Sequence, residues 1–253
     1  MIFGINAVHA ALSAGRRRVE RIFVERGRHG GRVAQLQSLA RSKGVPLELV
    51  DEKQIQRLAG EHTRAAHQGV LASVSAMPYT DPEDLLAGCP PDAVLLLADG
   101  VEDPRNLGAL IRTAAAAGAA GVIIPERRAA GLSPLAAKAA SGGLEVVPIA
   151  RVGNMASFVK RLKELSFWTV ALDAEAEKPW DALDYPDRLA LVVGGESDGV
   201  RRLVRQTCDE AVRIPLSRGM ESLNLSVAAG VCLFEALRQR RVRRAGPEGA
   251  GGR

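Results

Sequence analysis

Three stretches of the chain gather amides, carboxylates and a fixed cation at points where an apolar run breaks off. The first, Asp99 to Pro125, places Asn106 and Arg112 just after Pro104. Proline holds the residue before it extended, so a turn is expected there, with Asn106 capping the helix that follows. The second, Leu191 to Val200, runs an apolar strand into Gly194, Gly195 and Glu196, where backbone groups can approach a ligand closely beside a carboxylate. The third, Ile214 to Arg241, ends a strand at Pro215, crosses a polar loop and opens an apolar helix at Ser222 and Asn224. Open α/β sheets seat their ligands at such strand-to-helix junctions. In the first stretch this points a fixed positive charge and an amide toward the carboxyl edge of the sheet, because a guanidinium stays protonated. Each stretch taken alone also has a plainer meaning: Asn106 as a cap, Arg112 as a surface charge, the glycines as a structural turn.

Other chemistries fit less well. The Gly194 turn has the wrong glycine spacing for a dinucleotide fingerprint, which argues against a nicotinamide enzyme. Cys89, Cys208 and Cys232 are odd in number and widely spaced, so they read as buried or half-buried thiols rather than disulfides or zinc ligands. His9, His29, His62 and His67 are scattered, and metal-free chemistry is expected.

The elements that must position these residues alternate between helix and strand. In the C-terminal part the runs VLLLA, GVIIP, EVVPI, FWTVAL, LALVV and AVRIP read as strands. Helices are expected at 106–118, 133–140, 154–165, 201–208 and 223–240. Strands that are apolar on both faces predict a mainly parallel sheet covered on both sides, hence an α/β domain over residues 93–242. Residues 1–75 form a smaller α/β unit, with Asn6 capping a helix to Ala14, a strand at 19–26, a helix at 31–42, an extended LELV, a helix capped by Asp51 and a closing strand at 69–75. Residues 76–92, dense in Pro, Gly and Asp, read as a linker, and residues 243–253 as a disordered tail.

Charge is placed unevenly. Residues 1–74 carry twelve Lys or Arg against six Asp or Glu, and the remainder is close to neutral. Arg16, Arg17, Arg18 and Arg26 in this excess are candidates for phosphate contacts, such as a nucleic-acid backbone would offer, or else form a solvated basic face. The five arginines between Arg238 and Arg244 suit either RNA or the end of the last helix. No basic leader or membrane-length apolar run is apparent, so a cytoplasmic protein without a membrane partner is expected.

Together the three stretches resemble the three signature motifs of the SpoU (TrmH) family of RNA ribose 2′-O-methyltransferases, in the same order. Asn106, Leu107, Gly108, Arg112 and Thr113 match the first motif, and Gly194, Glu196 and Gly199 the second. Ile214, Pro215, Ser222, Leu223, Asn224, Ser226 and Ala228 match the third. FGINAVHAAL near the start and HQGVLA at His67 resemble the L30e-like RNA-binding domain of the RlmB-like branch, which methylates a guanosine of large-subunit (23S) ribosomal RNA. The resemblance implies a SPOUT domain whose C-terminal segment threads a deep trefoil knot, and a homodimer for which the small residues of the last helix are available.

It also implies S-adenosylmethionine as cofactor, held by Gly194, Gly199, Ile214, Leu216 and Leu223. Asn106, Arg112, Glu196, Ser222 and Asn224 would then face the reacting ribose. Arg112 either serves as base, tuned by a neighbouring phosphate and the dimer, or only holds the phosphate and polarises the hydroxyl. One departure stands out: the family's second motif has Gly directly after the Glu, where this chain has Ser197 and Asp198. Two alternatives stand beside this: a transfer RNA ribose methyltransferase of the same family, and a non-catalytic RNA-binding or ribosome-assembly protein that kept the fold, against which the intact Asn106–Arg112 pair and the Ser222–Asn224 loop argue.

Overall fold

In the computed structural model the described residues are 1–59, 67–196, 198–217, 219–220 and 222–245. His62, Ser197 and residues 246–253 of the expected tail lie outside them.

The N-terminal unit runs β1 (Ile2–Phe3), α1 (Ile5–Ala14), β2 (Val19–Glu25), α2 (Gly31–Ser42), β3 (Leu47–Val50), α3 (Glu52–Ala59) and β4 (Val70–Val74). Its sheet has the order β1-β4-β2-β3, parallel only between β2 and β3. Ile22 and Val24 of β2 are buried at a spacing of two, against Val8, Ala11 and Leu12 at helical spacing on α1. Asp51 starts α3 as expected: its Oδ1 accepts from Gln54 N at 2.7 Å, and Gln54 Oε1 accepts from Asp51 N at 3.0 Å. Asn6 does not cap α1. Gly4 occupies the cap position, because β1 stays paired with β4 to Phe3 and Gly4 N still donates to Val70 O at 2.9 Å.

Residues 76–92 are packed onto the second unit. They contain α4 (Pro82–Ala87), capped by Asp81, with Leu85 and Leu86 buried. Before it, the Tyr79 ring lies under the Arg151 guanidinium at 3.9 Å, and its hydroxyl accepts from Leu132 N at 3.2 Å.

The second unit begins with β5 (Val94–Asp99), α5 (Pro104–Ala116), β6 (Gly121–Pro125), α6 (Pro134–Ala140), α7 (Gly143–Val146) and β7 (Ile149–Val152). It continues through α8 (Met155–Glu164), β8 (Trp168–Leu172), β9 (Lys178–Pro179), β10 (Leu189–Gly194), α9 (Arg202–Thr207), β11 (Glu210–Arg213) and α10 (Leu225–Ala245). The seven strands are all parallel, in the order β7-β6-β5-β10-β8-β11-β9. Leu96 packs into one cluster under α5 and α10, and its neighbours Leu95 and Leu97 into another under α4 and α8. That two-sided burial is what the unbroken apolar runs predict.

Two expectations are corrected here. EVVPI is not a strand: Glu145 and Val146 close the short helix α7, and the strand β7 begins only at Ile149. The cause is a buried partner for Glu145, Arg17 of the N-terminal unit, which local sequence does not reveal. The last helix also runs three residues into the expected tail, because Arg243 pairs with Asp184 and Asp187, and Arg244 with Asp92. Arg240 joins them at Asp187 and Asp92, so this arginine cluster fastens α10 to neighbouring loops.

Candidate active site

The register of β10 on β5 puts Gly194 beside Asp99, so the loops that follow these strands leave the sheet side by side. Asp99 is fully buried and holds the second loop to the first. It accepts from the backbone N of Arg201 at 3.1 Å and from its Nε at 2.9 Å, with Nη2 bound as well. This bonding raises the Arg201 pKa above its ordinary value. Within the second loop Gly199 N donates to Gly195 O at 3.0 Å, folding the turn back over the strand end. A Cβ on Gly194 would stand 1.8 Å from the carbonyl carbon of Gly199, so no other residue fits that close approach.

Asn106 does not cap α5. Asp103 does, accepting from Arg105 N at 2.7 Å, with Pro104 as the first helical residue. The helix therefore starts before Asn106, whose amide is left free of capping and turns to the site. Its Nδ2 donates to Glu196 Oε1, and its Oδ1 accepts from Asn224 Nδ2 over a long 3.4 Å. Asn224 is itself the residue that opens α10, its Oδ1 accepting from Ser226 N at 3.0 Å and Ser226 Oγ at 2.6 Å. One polar chain thus links all three sequence stretches.

This chain borders a cavity of about 400 Å³, within the ~300–1,000 Å³ usual for small-molecule sites. Gly194, Gly199, Ile214, Leu216 and Leu223 all line it. Glu196, Ser222 and Asn224 form its polar side. Apolar side chains beside two strand-end glycines suit a flat ring whose edges meet backbone groups, and the carboxylate and amides suit a charged, polar end. Among the described residues no group of three or more His, Cys, Asp or Glu could hold a metal ion.

Sequence reasoning missed two parts of the site. Leu172, Asp173 and Ala174, after β8, complete the wall, and Asp173 pairs with Arg205. The signal was an apolar run ending on an acid, but without a glycine the junction looked ordinary. Asp99 was also passed over, although it is an acid at the end of a strand apolar on both faces.

The structure separates Arg112 from the rest. It is exposed on α5, off the cavity wall, and about 9 Å along the helix axis from Asn106 at 1.5 Å per residue. The candidate RNA-binding arginines also divide. Arg18 and Arg26 are exposed, whereas Arg16 and Arg17 point into the second unit and are used there. The small face of α10 serves the same chain: Ala229 is buried, and a Cβ on Gly230 would lie 3.3 Å from Thr113 Cγ2 on α5.

Comparison with known proteins matches this arrangement. The model of the SpoU rRNA Methylase family covers residues 93–234, and that of RNA 2′-O ribose methyltransferase substrate binding covers residues 1–80. The chain is 42% identical over 239 residues to the 23S rRNA (guanosine-2′-O-)-methyltransferase RlmB of Nitrosomonas europaea, spanning 94% of this chain and 91% of that one. It is 42% identical over 243 residues to RlmB of Escherichia coli K12, spanning 95% and 98%. The AdoMet-bound rRNA methyltransferase from Sinorhizobium meliloti superposes with a TM-score of 0.75 at 27% identity, over 93% of this chain and 85% of that one. With the second and third motifs lining one cavity, the first tied to them through Asn106, and both domains matched, the chain belongs to the SpoU rRNA methylase family.

Proposed function

We propose that the chain transfers a methyl group from S-adenosylmethionine to the ribose 2′-hydroxyl of a guanosine in 23S ribosomal RNA, acting in the cytoplasm as a homodimer. The observation that carries this is the chain Asn224, Asn106, Glu196 along the polar side of a cavity walled by Gly194, Ile214 and Leu223. The RlmB relatives, similar over nearly their whole length, supply the substrate class.

When bound, the cofactor supplies an electrophilic methyl group on a sulfonium. The apolar wall with the Gly194 backbone would hold its adenosine part, and Glu196, Ser222 and Asn224 would border its charged end. The protein's work is then alignment and removal of the hydroxyl proton. Asn106, fixed on both sides of its amide, is placed to orient the ribose. Arg112 holds the RNA phosphate and polarises the 2′-hydroxyl, whose proton leaves to a phosphate oxygen or to solvent as the methyl group arrives; its constant charge makes Arg112 a poor base by itself. We infer that the chain is knotted after β11, since Ile214, Leu216, Ser222 and Leu223, which follow that strand, line the cavity beside the turn after β10. The exposed Val227 and Phe234 on α10 offer apolar surface for the second subunit.

Purified protein, labelled S-adenosylmethionine and unmodified 23S RNA test this. The expected product is one guanosine with an alkali-resistant 3′ linkage. Label on a base, or transfer to transfer RNA alone, would overturn the substrate.

A further inference from the structure

Arg16 and Arg17 do not face solvent as a basic stretch should. Arg16 Nη1 donates to the carbonyls of Leu144 at 3.2 Å and Val147 at 2.8 Å, at the C-terminal end of α7. Arg17 pairs with Glu145 of the same helix, and their side chains are only 7% and 2% exposed. Burial pushes the Glu145 carboxyl up, and the two arginines oppose that shift. A buried ion pair adds little net adhesion, but its geometry admits few orientations.

The other side of α7 meets the catalytic domain's first motif. Gly142 and Gly143 stand at the start of this helix, and each is a point of close backbone approach. A Cβ on Gly142 would lie 3.0 Å from Ala10 Cβ on α1. A Cβ on Gly143 would lie 3.1 Å from the Cα of Arg112 and 3.2 Å from Ile111 O on α5. A helix of four residues is thus wedged between α1 of the RNA-binding unit and the backbone that carries Arg112. Interiors are too densely packed to absorb a shift at one face of such a wedge without passing it to the other.

We propose that the seating of the N-terminal domain on α7, through Arg16, Arg17 and Glu145, sets the position of Arg112, so that these three are positioning residues for methyl transfer. The proposal rests on the role given to Arg112 above. It makes the N-terminal domain more than a tethered grip on RNA: its docked orientation is part of the aligned reaction geometry.

The test is steady-state kinetics of the full chain on a 23S RNA fragment, with cofactor affinity measured by calorimetry. Arg17→Ala is expected to lower kcat by about ten- to a hundred-fold, as small misplacements of aligned groups do, with RNA KM and cofactor Kd nearly unchanged. Gly143→Ala leaves the ion pair intact and pushes directly on the Arg112 backbone, so it should lower kcat in the same way. It also keeps the question answerable if Arg17→Ala fails to fold. A raised RNA KM with full kcat in these variants would overturn the proposal and leave the domain as a tether. A wild-type protein that leaves ribose unmethylated, or an Arg112→Ala variant at full rate, would remove the role beneath it, and the proposal with it.

Discussion

Asn106 shows how a side chain becomes available for chemistry. A helix end needs acceptors for its first amides, and Asp103 with Pro104 meets that need ahead of Asn106. The spacing of Asn106, Glu196 and Asn224 in separate stretches was legible, but the capping assignment was not, because Asp103 and Asn106 are both good caps and local sequence does not rank them. Arg112 and Gly194 give separate predictions. Arg112→Ala should abolish turnover in the labelled-methyl assay while calorimetric cofactor binding survives, since the residue lies off the cavity wall; turnover near wild type would refute its role. Gly194→Ala should instead abolish cofactor binding, because its Cβ falls on the Gly199 backbone. Unchanged affinity there would mean that the cofactor sits elsewhere.

At the scale of elements, the site depends on two loops being held together at the sheet edge. Asp99 has no solvent to fall back on, so Arg201→Ala should cost about 2–3 kcal/mol by leaving a buried carboxylate short of donors, read as a lower urea midpoint. A midpoint unchanged from wild type would show that the bridge is dispensable. The strands around these loops were legible because LLL and VII runs admit only burial on two faces. The helix at Glu145 was not, because a carboxylate beside two valines alternates like a strand until its partner, more than a hundred residues away, is known. Leu172 to Ala174 escaped notice for a related reason: a cavity wall is shared among strands that sequence cannot order.

For the whole molecule, the basic excess of the first third is partly consumed inside the protein at Arg16 and Arg17, leaving Arg18, Arg21, Arg26, Arg28 and Arg32 among the residues on its surface. Composition revealed the excess but not its division between solvent and interface. The thiols give a molecule-wide prediction. Burial pushes Cys208 and Cys232 up to about 12 and about 11 from 9.0. Both stay neutral in the fold and ionise earlier in the unfolded chain, so their contribution is complete below pH 9 and drains away as pH climbs through 11 to 12. The urea midpoint should fall across that window, and less steeply in a Cys208→Ala, Cys232→Ala double variant; equal slopes would reject the assignment.

The place of β10 between β5 and β8 has a consequence for how the protein comes into being. Its neighbours on both sides are made earlier, and the cavity draws on residues as late as Ala228. Domains fold in the order in which they leave the ribosome, and long-range strand pairing is slow. A nascent chain therefore holds a finished N-terminal sheet long before it can accept a methyl donor, and its enzymatic life begins only once the chain has grown past Ala228.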